Sequence, residues 1–154
     1  MRETTLCFLV RGDEVLLAMK KRGFGAGKWN GYGGKLDEGE TLLQGAVREI
    51  KEESGISVSP NELGELGVID FYFTDKEEWN QRVHIFRILY NHTEPQETEE
   101  MKPRWFSFSD IPYNEMWAGD DAWFTHFLRG EKFSGDIHFA NEGKKVLKID
   151  ISKQ

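Results

Sequence analysis

The sequence predicts one α+β domain. Three observations carry this. A length of 154 residues fits a single domain that can bury a core without disulfides. β-prone runs separated by turn residues recur from one end of the chain to the other. Between them stands one long capped helical segment, with a shorter one near the C-terminus.

The elements follow in order. Thr4 to Val10 is apolar and β-prone, and Glu14 to Met19 resumes after Gly12-Asp13, which reads as a hairpin. Lys20 to Gly34 is basic and carries glycine at 23, 25, 27, 31, 33 and 34, which predicts a shaped loop. Thr41 to Ser54 is the long helix: Thr41 with Gln44 forms a capping box, and Gly55 supplies the stop. Leu66 to Thr74 and Arg82 to Tyr90 read as strands, with Phe71 and Phe73 on one face. Asn91 to Glu100 is an acidic loop, and Trp105 to Phe108 a short strand. Asp120 to Leu128 is the second helix. Phe133 to Phe139 and Lys145 to Ile151 are the closing strands.

Composition removes several functions. Lysine plus arginine is 20 and aspartate plus glutamate 27, giving 20 − 27 = −7. That balance argues against nonspecific nucleic-acid or anionic-membrane partners. A polyphosphate substrate would need a cation to approach. Cys7 stands alone, so neither an internal disulfide nor a cysteine-based zinc site is expected, and a reducing, cytoplasmic setting fits. No apolar run of a signal peptide follows Met1, and no stretch of about 18 uncharged apolar residues is present.

Chemistry concentrates on the long helix. Glu49, Glu52 and Glu53 fall within about a 100° arc. Leu43, Ala46, Val47 and Ile50 form the apolar stripe, while Gln44, Arg48 and Lys51 are expected on the solvent side. Carboxylates at these spacings repel one another. Taken alone, they read as a solvated face partnered by Arg48 and Lys51. They also suit a divalent cation, since carboxylate oxygens and water are the preferred ligands of Mg²⁺ or Mn²⁺.

The surroundings decide between these readings. Gly34, Glu40, Arg48, Glu49, Ile50, Glu52, Glu53, Gly55 and Ile56 reproduce G-x5-E-x7-R-E-U-x-E-E-x-G-U, where U is aliphatic. At residue frequencies of roughly 6% each, chance odds are far below about one in a million. The segment resembles the Nudix box of the MutT family. The resemblance implies an α/β/α sandwich around a mixed sheet, in one Nudix hydrolase domain over residues 1–154 with its box at 34–56. It implies Mg²⁺-dependent hydrolysis of a nucleoside diphosphate linked to another group, with Mn²⁺ as a substitute. Glu49, Glu52 and Glu53 match the metal-binding glutamates, and Glu53 the base that acts on water. Gly34 joins the metal site and Glu40 is the peripheral acid. Arg48 matches the arginine that orients the glutamates. Of the basic cluster Lys20, Lys21, Arg22 and Lys28, Lys20 is the expected phosphate contact, because it ends a strand.

Segments outside the box resemble the branch of this family that acts on oxidised purine nucleoside triphosphates. They are Lys20 to Lys35, Glu99 to Pro103, Trp105-Phe106, Ile111-Pro112, Met116-Trp117 and Trp123-Phe124. The implied reaction converts 8-oxo-dGTP or 2-hydroxy-dATP to a monophosphate and pyrophosphate, sanitising the nucleotide pool. Asn30 would bond the purine edge and Trp117 would stack on it. Thr5, Leu6, Phe24, Gly33, Gly34, Phe71, Phe73, Asp120 and Trp123 would surround it, and Glu100 would add a metal ligand. A monomer is expected. Two positions depart from the pattern. Its adjacent aspartates fall on Gly119 and Asp120, with Asp121 following: either the loop re-registers or one base contact is lost. The methionine facing the tryptophan is absent near Trp79 and Gln81. Rival readings are a Nudix enzyme for N6-methyl-dATP, a dinucleoside polyphosphate, ADP-ribose or a capped RNA end, and a nucleotide-binding module without catalysis.

Overall fold

A computed structural model describes residues 1–89 and 93–154. Its strands are β1 (Arg2–Arg11), β2 (Glu14–Lys20), β3 (Trp29–Asn30), β4 (Tyr32–Lys35), β5 (Leu63–Phe73), β6 (Gln81–Leu89), β7 (Met101–Ser107), β8 (Phe133–Ala140) and β9 (Lys145–Lys153). The helices are α1 (Leu42–Ser54) and α2 (Asp121–Leu128). Among the described residues the strands form one sheet in the order β3-β2-β1-β6-β5-β8-β9, with β4 added on β1 and β7 on β2. The β1–β6 and β5–β8 pairs are parallel and the others antiparallel, so the sheet is mixed.

Alternation along β1 separates the two faces. Leu6, Phe8 and Val10 join the core that contains Trp123, Phe124 and Phe127 of α2. Cys7 and Leu9 join the opposite core, with Ala46 and Ile50 of α1. One helix therefore covers each face, the α/β/α sandwich expected. The helices are held differently. In α1 the Thr41 hydroxyl accepts from Gln44 N–H at 3.2 Å, Gln44 accepts from Thr41 N–H at 2.9 Å, and Gly55 closes the helix at φ 79°. In α2, eight residues long, Asp120 makes no side-chain cap bond. A helix that short is marginal alone. Its three buried aromatics hold it, each contributing roughly 1.5–3 kcal/mol.

Several boundaries differ from expectation. The glycine-rich segment contains β3 and β4. A Cβ on Gly33 would lie 1.8 Å from the Thr5 carbonyl oxygen and one on Gly31 2.5 Å from that of Cys7. Those glycines permit close backbone approach inside a sheet. β7 begins at Met101 and includes Pro103, tolerated because this strand pairs on one side only. β5 begins three residues early, at Leu63, and α2 one residue late, at Asp121. Leu43 is 38% exposed, and Leu42 packs instead. The strand expected to end at Tyr90 is described to Leu89; Tyr90, and Asn91 at the start of the acidic loop, lie outside the described residues. Among the described residues no helix is long and apolar enough to cross a membrane.

Candidate active site

Helix α1 carries the acidic half of the site. Ala46 and Ile50 anchor its inner face, which draws Glu53, three residues beyond Ile50, into the seam between helix and sheet. Glu53 is only 7% exposed and accepts the Gly33 N–H at 2.9 Å. Burial pushes its carboxyl up to about 8, helped by Glu49 and Glu100 and opposed by the Gly33 bond and by Lys20. Glu49 is half-buried and also raised, by burial first, with Arg48 opposing. Glu52 points outward, its side chain 59% exposed.

Arg48 departs from the solvent side expected for it. Its guanidinium grips Glu40 through two bonds of 2.7 and 3.0 Å, Glu49 at 2.8 Å, Glu52 at 3.3 Å and the Lys35 carbonyl at 3.1 Å. That network holds Glu40 below the usual carboxylate range. It also ties the loop after β4 to the helix, so Gly34 lies flat against Glu49: a Cβ there would be 3.2 Å from the carboxylate.

Glu49, Glu52 and Glu53 face Thr98, Glu99 and Glu100 across a small pocket, with Arg22 at its edge. Glu100 is thus brought opposite α1. The rest of the basic cluster disperses: Lys21 pairs with Glu97, while Arg22 lies 3.6 Å from both Glu99 and Glu100. Among the described residues no three His, Cys, Asp or Glu side chains converge on one ion-sized point as they stand. Arg48 holds two of the glutamates and the Gly33 N–H holds the third. The donor set nevertheless fits a hard divalent cation: it is all oxygen, crowded with carboxylates, and places a half-buried Glu49 beside a buried Glu53. A cation held there would favour the charged forms of Glu49 and Glu53 that burial, and secondarily their carboxylate neighbours, disfavour.

A second pocket, about 900 Å³ with its open mouth included, adjoins the acidic one. All eleven residues expected to bind substrate line it. Thr5 and Leu6 come from β1, Asn30 from β3, Gly33 and Gly34 from β4, and Phe71 and Phe73 from β5. Phe24, 43% exposed, forms the rim. Trp117 lies 5.1 Å from it, ring centre to ring centre. Trp123 is fully buried and serves as wall; its indole N–H donates to Asp120 Oδ1 at 3.2 Å. The other Asp120 oxygen and the Thr5 hydroxyl are buried with no hydrogen-bond partner among the described residues. Burial raises the Asp120 carboxyl to about 7, with Trp123 and Lys28 opposing. Asn30 spends its side-chain oxygen on the Gly31 N–H at 2.9 Å. Lys20 lines this pocket and also acts on Glu53, so it stands at the junction of the two.

Of the displaced acidic pair only Asp120 reaches the pocket. Asp121 is exposed in the first turn of α2. Gly119 stands at φ 90° and brings no carboxylate. Apart from Lys20, nine lining residues were not among those expected to bind substrate, Lys28, Gln81, Met101 and Phe139 among them. Phe139 was legible in the alternation Phe133, Gly135, Ile137, Phe139. It stacks on Phe73 at 5.1 Å because β8 runs parallel to β5 with those residues paired. Met101 lies in the Glu99 to Pro103 segment, but nothing in its spacing pointed to the pocket.

Fold and site together define a class. The chain belongs to the Nudix family, whose NUDIX domain matches residues 1–129, and it is a Nudix hydrolase. Such hydrolases generally need a divalent metal. The chain is 46% identical over 138 residues to the mouse oxidized purine nucleoside triphosphate hydrolase, covering 90% of this chain and 86% of that one. It is 47% identical over 143 residues to the zebrafish protein of the same name, covering 93% and 88%. A crystal structure of the mutator MutT protein from Bacillus halodurans matches with a TM-score of 0.84 at 26% identity, over 99% of this chain and 98% of that one.

Proposed function

We propose that this Nudix hydrolase sanitises the nucleotide pool, cleaving oxidised purine nucleoside triphosphates to a monophosphate and pyrophosphate with Mg²⁺. The observation that carries this is the junction of the two pockets. An aromatic chamber with one buried, half-satisfied carboxylate opens beside a pocket of glutamates, with Lys20 between. A purine bearing N–H groups fits the first, between aromatic faces and next to Asp120 and Asn30. A triphosphate reaches the second only with its charge shielded.

When bound, the divalent cation would shield the phosphates and lower the pKa of a bound water. Glu53 would take that water's proton through Oε2, since Oε1 is held by the Gly33 N–H. Burial keeps Glu53 largely protonated at neutral pH in the ion-free protein, so Lys20 and cation binding favour the charged form it needs. Lys20 would face the bridging oxygen that gains charge as water attacks the β-phosphorus. Arg48 would hold Glu49 and Glu52 in position.

The family's chemistry and the acidic pocket support action on a small nucleotide; the further proposal is one Nudix domain over residues 1–154 acting as a cytoplasmic monomer. The test is pyrophosphate release with Mg²⁺ from 8-oxo-dGTP, 2-hydroxy-dATP, N6-methyl-dATP and dGTP, compared by kcat/KM. Preference for an oxidised purine is expected. Equal or negligible rates across the set would overturn the substrate assignment.

A further inference from the structure

The turn between β8 and β9 is built against backbone preference. Asn141 and Glu142 have φ of 52° and 54°, and Gly143 follows at 89°. Left-handed non-glycine residues persist only where neighbours hold them. Here Asp75 accepts the Glu142 N–H at 3.0 Å, and Lys76 lies 3.6 Å from the Glu142 carboxylate. Thr74 donates both its N–H and its hydroxyl to the Phe139 carbonyl, at 3.0 and 3.1 Å. The segment after β5 thus clamps the turn.

The turn meets Trp117. A Cβ on Gly143 would lie 2.3 Å from Cζ3 and 3.1 Å from Cε3 of its indole. At the opposite edge, a Cβ on Gly25, φ 84°, would lie 3.4 Å from Nε1 and 3.6 Å from Cζ2. Two glycine backbones therefore form a slot for the ring, and the chain provides no room for a side chain at Gly143. Closing a hairpin does not itself require contact with a pocket wall.

We propose that Gly143 is a positioning residue that sets the plane of Trp117 and thereby the fit of the purine. This rests on the reading that Trp117 stacks on the base. Gly143 lies outside the 1–129 segment that matches the NUDIX domain, so purine fit depends on a turn that is not part of it. Water activation stays with α1.

The experiment compares Gly143→Ala, Trp117→Phe and the double variant by kcat and KM for 8-oxo-dGTP. Gly143→Ala is expected to raise KM about 10-fold with kcat changed less than about 3-fold. In the Trp117→Phe background the same change should move KM less than about 2-fold, because the benzo edge it strikes is gone. Backbone strain at φ 89° lowers the melting temperature in both backgrounds and cancels from this comparison. An unchanged KM in the native background, or an equal rise in both, would overturn the proposal. If Gly143→Ala does not fold, Asp75→Ala loosens the turn without adding an atom near the indole. It should raise KM in the native background alone, and an equal rise in both overturns the proposal. Trp117→Ala separates the underlying reading: if it leaves KM unchanged, stacking on Trp117 is wrong whatever Gly143 does.

Discussion

The two pockets are built from different materials in different ways. The acidic one draws Glu49, Glu52 and Glu53 from a single helix and adds Glu99 and Glu100 from one loop. The aromatic one gathers residues from β1 through β8, two loops and α2. The first can be held by helical spacing and one guanidinium. The second exists only if the whole sheet is correctly ordered. Under the proposed function, chemistry is tied to a local motif, while fit to the base is tied to global packing. Substitutions in the first should act on kcat and those in the second on KM.

The sharpest break is Glu53→Gln. Gln keeps an acceptor for the Gly33 N–H but cannot take a proton, so kcat should fall by about 10²–10⁴-fold with the fold intact. Turnover near the native rate would remove Glu53 from its assigned role. Arg48→Ala should follow, at about 10–100-fold in kcat, because Glu40, Glu49 and Glu52 lose their shared partner. A change confined to KM would move Arg48 to the other side of the comparison.

Trp117→Ala should raise KM for 8-oxo-dGTP with little change in kcat. The loss of stacking, about 1–3 kcal/mol, corresponds to about 5–150-fold. Asp120 sharpens the same side. Its carboxyl titrates near 7, so it is neutral and can donate below that pH and is an anionic acceptor above it. The ratio of kcat/KM for 8-oxo-dGTP to that for dGTP should therefore change across pH 7, and Asp120→Asn should flatten it. A ratio independent of pH in the native enzyme would remove Asp120 from base reading.

The smallest effect concerns stability. A carboxyl raised from 4.5 to about 8 binds its proton more tightly folded than unfolded. Glu53 therefore makes the ion-free protein less stable as pH rises through that window. Glu53→Gln removes the dependence. At pH 8 without divalent ions the variant should melt higher, by about 2–4 °C for each 1 kcal/mol of that penalty removed. A lower melting temperature would mean that the charged form is already compensated within the protein.

Residues showed their place in the sequence to different degrees. Thr41, Gln44 and Gly55 announced α1 because capping is a matter of a few consecutive backbone groups. The glutamates announced a cation for the same reason of short range. Gly31 and Gly33 were misleading: glycine marks both turns and close strand contacts, and only the carbonyls of Cys7 and Thr5 distinguish them. Leu43 and Arg48 were assigned to the wrong sides of α1. Periodicity gives a helix its stripe but not the angle at which it meets the sheet, and Arg48 is drawn in by Glu40 from a preceding loop.

By itself the sequence determined a mixed α and β domain, the capped helix and the ordered set of glutamates, all of which depend on neighbours within a few residues. Only the tertiary structure decided the aromatic pocket. The parallel β5–β8 pairing brings Phe139 onto Phe73, the fold buries Asp120 beside Trp123, and the strained turn ends at Gly143 against Trp117. Those contacts join residues far apart in the chain, and their burial depends on strand order that no local spacing encodes.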